Sequence, residues 1–294
     1  MLIARLIADR ADLLTRIEAL KHSLDAEGLP ITVSAQDLGG SVLAEVQTMG
    51  DSAGVFTEAL DAHFGGCDRL IAAEDFTVPR LFVSDMDSTM IEQECIDELA
   101  DYAGLKDKIA DITERAMQGE LDFAEALYER VGLLKDLDEG AIASCLSERI
   151  TAMPGARTLV QTLRKKGCRT VLVTGGFHQF ADAVAEQLGF ERVVGNRLEV
   201  EGGKLTGGLV GGITDSGVKR TVLEEEQGAL SAGSTSLATG DGANDIPMLQ
   251  AANYGIAYHA KPKARAAANG CIDTGDLTNV LHLLGIAQSE WVTD

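Results

Sequence analysis

In LFVSDMDST, residues 81–89, an apolar run ends abruptly in two carboxylates and two hydroxyls. Leu81, Phe82 and Val83 have the length and composition of a buried strand, so Asp85 and Asp87 stand at its carboxyl end. Two other stretches share this grammar, TVLVTGGF (170–177) and SLATGDGAND (236–245). The first follows ARTLVQTLRKKG (156–167), an amphipathic helical pattern closed by Gly167. The second leads into helix-like DIPMLQAAN (245–253) and then strand-like YGIAY (254–258). Alternating strands and helices predict an α/β fold, a doubly wound parallel sheet covered on both faces. Ligands of such sheets bind beyond the carboxyl ends of the strands, so all three polar clusters are expected on one rim.

Between the first two strands, residues 95–152 place apolar side chains at helical spacing in IDELADYAG, DKIADITERAMQG, FAEALYERVGLLKDL and GAIASCLSERI. That length suits a helical cap inserted over the rim. NRLEVEGGKLTGGLVG (196–211) reads as a hairpin turning at Gly202 and Gly203. Residues 1–78 read in the order β-α-β-β-α-β, the order of a smaller ferredoxin-like α+β unit. TVPR (77–80) is the expected join to the 79–294 core.

The 294 residues are 45 % hydrophobic and 24 % charged, enough to bury a sizeable core. With 46 acidic against 25 basic residues the net charge is −21, which argues against nucleic acid and anionic lipid as partners. An anionic ligand must then be caught by local groups or by a metal. No run approaches the ~20 apolar residues that span a bilayer, and MLIARLIADRADLL is broken by Arg5, Asp9 and Arg10 before a signal-peptide core forms. A cytoplasmic protein is expected. Cys67, Cys95, Cys145, Cys168 and Cys271 are scattered, odd in number and never in C-x-x-C spacing, so buried free thiols are expected.

Asp-x-Asp alone, in so acidic a chain, fits a solvated turn. At the end of a buried strand, however, two ionised carboxylates repel unless a positive charge sits between them, and Mg²⁺ takes oxygen ligands of this kind. A Ca²⁺ loop of the EF-hand type is excluded, because Met90 stands where glycine is needed and Ile96 where glutamate is needed. No phosphate-binding loop of the G-x-x-x-x-G-K-[ST] type occurs, nor a G-x-S-x-G elbow. In GDGAND, Asp241 and Asp245 close a second strand, with Gly240 and Gly242 expected to allow a tight turn. TGGF offers the Thr174 hydroxyl and the Gly175 N–H to an anion, although a plain strand-to-helix turn explains it equally well. Lys219 lies near a helix start in TDSGVKRTVL, capped by Asp215 or Ser216, with Arg220 as its neighbour. His178, His259 and His282 have no partners at metal or triad spacing and are assigned to packing or surface.

DMDST, TGGF, a downstream lysine and GDGAND resemble, in order and rough spacing, the four motifs of the haloacid-dehalogenase-like phosphatases. ERAMQGELDFAEALYERVGLL (114–134) is similar to the cap segment of the phosphoserine phosphatases among them. The resemblance covers about residues 79–290; that of residues 1–78 to an ACT-type extension is weaker. It implies Mg²⁺-dependent hydrolysis of O-phospho-L-serine, with Asp85 as nucleophile and Asp87 as acid and then base. It implies Mg²⁺ held by the side chains of Asp85 and Asp241 and the carbonyl of Asp87, with Asp245 outside them and Lys219 neutralising the phosphoryl group. Ser88, Thr174 and Gly175 would cradle phosphate and Asn244 would contact the substrate or the phosphoryl site; Glu94 would bind the ammonium and Arg130 the carboxylate, while Met117 and Phe123 wall the pocket. Threonine at 174, where the family more often has serine, keeps the hydroxyl. The alternatives are phosphoryl transfer to homoserine, another small phosphomonoester as substrate, or a phospho-aspartate signalling receiver. The insertion and the acid Asp87 argue against the receiver. A regulatory or homodimer-forming role is expected of residues 1–78.

Overall fold

The computed structural model describes residues 1–117 and 122–293, the side chains of Glu114, Ala116, Met117 and Phe123 excepted. The N-terminal part runs β1 (Leu2–Asp9), α1 (Leu13–Ala26), β2 (Ile31–Asp37), β3 (Ser41–Thr48), α2 (Ala53–Phe64) and β4 (Asp68–Ala72). Alternate residues of β1, Leu2, Ala4, Leu6 and Ala8, pack with Leu20 and Leu24 of α1 and Phe56, Leu60 and Phe64 of α2. Each fully buried leucine or phenylalanine there contributes about 1.5–3 kcal/mol.

The central strand β5 (Leu81–Ser84) is followed by the inserted helices α3 (Cys95–Tyr102), α4 (Lys106–Met117), α5 (Phe123–Leu133) and α6 (Gly140–Arg149). The start of α5 is fixed by a reciprocal cap: Glu125 N donates to Asp122 at 2.7 Å and Asp122 N to Glu125 at 3.2 Å. The insertion returns beside its own entry, where Glu92 N donates to Thr151 O and Met153 N to Met90 O. The chain continues through α7 (Ala156–Lys165), β6 (Arg169–Phe177), α8 (His178–Leu188) and β7 (Arg192–Asn196). Next comes the hairpin of β8 (Leu198–Glu201) and β9 (Lys204–Leu209), whose turn has φ of 59° and 79° at Gly202 and Gly203. Both values lie in the left-handed region that glycine tolerates.

The rest of the core is α9 (Ser216–Gly228), β10 (Ser236–Gly240), α10 (Ile246–Ala251), β11 (Tyr254–Tyr258), α11 (Pro262–Ala267), β12 (Gly270–Ile272) and α12 (Thr278–Leu283). Among the described residues, ten strands form one sheet in the order β2-β3-β1-β4-β12-β11-β10-β5-β6-β7. From β12 to β7 every pairing is parallel. Because β5 lies between β10 and β6, the ends of DMDST, TGGF and GDGAND come together as the strand order requires.

The short β12 escaped the sequence reading, and it joins the two halves of the sheet by pairing antiparallel with β4 at Gly270–Leu70 and Cys271–Arg69. Asp68, 1 % exposed at the start of β4, reinforces the joint. Its carboxylate accepts from the N–H groups of Asp273, Thr274 and Gly275, the Thr274 hydroxyl and the Asn279 amide. Arg5 of β1 donates to Leu283 O of α12 at 3.0 Å and lies over the Phe76 ring. All five cysteines are buried and free. Among the described residues, no helix is long and apolar enough to cross a membrane.

Candidate active site

Beyond the last apolar residue of β5, Asp85 is pinned at its backbone by a bond from its N–H to Thr239 O of β10. Ser84 and Thr239 hydroxyls tie the same strands at 2.7 Å. The Asp85 carboxylate lies 2.7 Å from Lys219 Nζ, and Lys219 Nζ lies 2.7 Å from the Asp245 carboxylate. Lys219 and Asp245 are 0 % exposed and Asp85 only 5 %. Lys219 enters from the first turn of α9, which begins where the Asp215 carboxylate accepts from Val218 N. The cap left open between Asp215 and Ser216 is thus Asp215, and Arg220 turns away to pair with Glu224.

Carboxylate oxygens of Asp85, Asp241 and Asp245 all lie within 4.8 Å of one another. Burial, then the charge of Asp245, raise the Asp85 carboxyl well above the ordinary range against the pull of Lys219. The same two causes lift Asp241 to about 6. Burial alone would lower Lys219, yet Asp85 and Asp245 outweigh it and keep the ammonium more firmly protonated than usual. A cluster this rich in negative charge suits a hard divalent cation. Both Asp245 oxygens are engaged, one by Lys219 and the other by Gly242 N at 3.0 Å, which leaves Asp85 and Asp241 as the acids with oxygens to offer.

Asp87 is half-buried, and its carboxyl accepts a long bond from Cys95 N at 3.4 Å. Burial, then the charge of Glu94, raise it to about 7. At neutral pH this group can hold a proton that an ordinary aspartate has lost. The Ser88 hydroxyl donates to Glu94 at 2.8 Å. Ser88 itself takes φ 52°, a strained conformation that folds the chain back over the strand end.

On β6 the pairing with β7 slips between Val173 and Phe177. Thr174, 1 % exposed, lies in this irregular stretch, and its hydroxyl accepts from Gly176 N at 2.8 Å. Gly176 is the glycine that the site needs for space, since a Cβ there would sit 2.9 Å from an Asp87 oxygen. Gly175 O accepts from the amide of Asn196, whose own oxygen accepts from Thr214 N. Asn196, buried at the end of β7, had no motif to announce it. Neither did Lys261, whose N–H donates to Asp241 O at 3.0 Å.

The tight-turn role expected of Gly240 and Gly242 is corrected. Neither has a positive φ; Gly240 is required because a Cβ would lie 2.4 Å from the Asp245 carboxyl carbon. Asn244 is half-buried beside Gly242. In the insertion, Arg130 donates to Ala126 O and is partly buried. Burial lowers its guanidinium below the usual value, against the charges of Asp97, Glu94 and Asp87. The wall expected from Met117 and Phe123 lies outside the described side chains.

Residues 82–250 match the sequence family described as haloacid dehalogenase-like hydrolase. A phosphoserine phosphatase of Streptomyces coelicolor is 43 % identical over 212 residues, 72 % of this chain and 52 % of that protein. The chain therefore spans about half the length of that relative. One from Saccharomyces cerevisiae is 38 % identical over 238 residues, 80 % of this chain and 77 % of the relative. The crystal structure of a probable phosphoserine phosphatase from Vibrio cholerae superposes with a TM-score of 0.74 at 32 % identity, covering 98 % of this chain and 88 % of that one. Together with the acid–lysine–acid chain at the strand ends, these similarities establish the lineage: the chain belongs to the haloacid dehalogenase-like hydrolases, and among them to the phosphoserine phosphatase family.

Proposed function

We propose that the protein hydrolyses O-phospho-L-serine to L-serine and phosphate, the last step of serine biosynthesis, through an aspartyl phosphate on Asp85. The observation that carries this reading is the buried chain Asp85–Lys219–Asp245, with Asp87 raised to about 7 beside it. Lys219 holds one Asp85 oxygen, and the carboxylate attacks phosphorus through the other as the seryl oxygen departs. Asp87 gives its proton to that oxygen. It then removes a proton from the water that attacks phosphorus, frees Asp85 and releases phosphate. Glu94 and Arg130 would take the ammonium and carboxylate of the substrate, Arg130 through two parallel hydrogen bonds. Ser88, Thr174, Gly175 and Asn244 would receive the phosphoryl oxygens.

The acids Asp85 and Asp241 fit Mg²⁺, which the carbonyl of Asp87 would also help to hold. When bound it offsets phosphoryl charge and orients the group for in-line attack. A cytoplasmic location is supported by the five free, buried cysteines. Residues 1–78 are read as an ACT-like regulatory unit and a homodimer contact, supported by their βαββαβ order and by the open edge of β2. A panel of phosphomonoesters assayed for phosphate release, with Mg²⁺ and with EDTA, tests the activity. Phosphoserine should rank among the best substrates and EDTA should stop release. Preference for an unrelated phosphomonoester overturns the substrate, and full activity in EDTA overturns the metal.

A further inference from the structure

A cavity of about 440 Å³ opens where three parts of the chain meet. Glu92, Met153 and Pro154 from the hinge of the insertion form one wall, and Tyr258 and His259 beyond β11 form another. The third is the 274–276 loop, which Asp68 of the N-terminal part holds by its backbone.

Tyr258 is 2 % exposed, yet its hydroxyl has no hydrogen-bond partner among the described residues. A buried phenol ordinarily finds one. Burial, followed by the charges of Asp276, Asp68 and Glu92, pushes this hydroxyl up to about 12, and Glu92 and Asp276 line the same cavity. Glu92 is exposed on the cavity wall with no cation paired to it among the described residues. Asp276 uses one oxygen to cap Thr278 and keeps the other without a donor among the described residues. His259 Nε2 donates to Gly275 O at 2.9 Å, leaving Nδ1 as an acceptor.

We propose that this cavity binds a small molecule carrying a primary ammonium and a neighbouring oxygen. The ammonium sits between Glu92 and Asp276, and the oxygen accepts from the Tyr258 hydroxyl. An ammonium brings three donors and no acceptor, which answers two carboxylates and an imidazole acceptor. A ligand carboxylate is repelled by the same acids. The volume lies within the usual range of about 300–1,000 Å³ for small-molecule sites. Because Glu92 and Met153 belong to the paired segments that carry the insertion, a bound molecule ties that hinge to the core.

Calorimetric titration of the full chain in EDTA, with ethanolamine as probe, tests the site. Saturable binding is expected, with none for ethylene glycol. Glu92→Gln should weaken it about tenfold or more, the scale of a lost charge-assisted hydrogen bond. Tyr258→Phe should remove the advantage of ethanolamine over propylamine. Glu94→Gln, at the phosphoryl site, should leave binding intact. No saturable heat, equal binding of ethylene glycol, or loss of binding in Glu94→Gln but not in Glu92→Gln overturns the proposal. So does saturable heat with Ca²⁺ where ethanolamine gives none. The readout is independent of phosphate release, so failure of the phosphatase reading and failure of this site are separable.

Discussion

Replacing Lys219 by methionine should destabilise the protein in a pH-dependent way. Its ammonium lies 2.7 Å from each of two carboxylates, and all three groups are buried. At an effective dielectric of about 20, each contact is worth about 6 kcal/mol of attraction. Most of this is offset by the several kcal/mol needed to bury each ion. Methionine fills the volume but leaves Asp85 and Asp245 facing one another, and removing one partner of a buried pair costs about 3–5 kcal/mol. The Asp85 carboxyl is already raised by burial and by Asp245, with Lys219 pulling it down; without Lys219 it rises further. A carboxyl whose folded pKa exceeds its unfolded value stabilises the fold below the unfolded value. That contribution is lost as pH rises through the folded value. The deficit of Lys219→Met is therefore largest in mild alkali and shrinks on acidification. Urea unfolding of both proteins in EDTA, at about pH 8 and about pH 5, measures it. A deficit below about 1 kcal/mol at the higher pH, or one equal at both, refutes the reasoning.

Asp85→Asn should abolish phosphate release while raising the thermal midpoint in EDTA, since burial and Asp245 oppose the charge it removes; an active variant, or a lower midpoint, contradicts this. Arg130→Ala should lower kcat/KM for phosphoserine at least about tenfold more than for p-nitrophenyl phosphate, which has no carboxylate to pair. Equal losses remove Arg130 from that role. Gly240→Ala drives a methyl to within 2.4 Å of the Asp245 carboxyl carbon, so activity should need much more Mg²⁺. Gly242→Ala meets only the tip of the Asn244 side chain and should be milder. A Mg²⁺ titration of phosphate release compares the two, and the reverse order would show that the Asp245 clash is harmless.

Local sequence patterns specify the elements and the chemistry that each can carry. LFVS, TVLV and SLATG read as buried strands with acids and hydroxyls at their ends, and the paired glycines at 202 and 203 as a hairpin turn, as the structure has them. These features are written locally, in side-chain period and in the few residues that tolerate a given φ. Which distant groups meet depends instead on strand order and packing. Asp85, Lys219 and Asp245 lie far apart along the chain and share one buried contact chain because β5 sits between β10 and β6. Asn196 grips Gly175, Asp68 grips the 273–275 loop, and β12 sews two half-sheets into one. No local pattern marks these residues, because an asparagine or aspartate acquires its role from the backbone groups that strand order brings to it. The demand on Gly240 was hidden for the same reason: the atom it must avoid belongs to a side chain that the next turn folds back upon it.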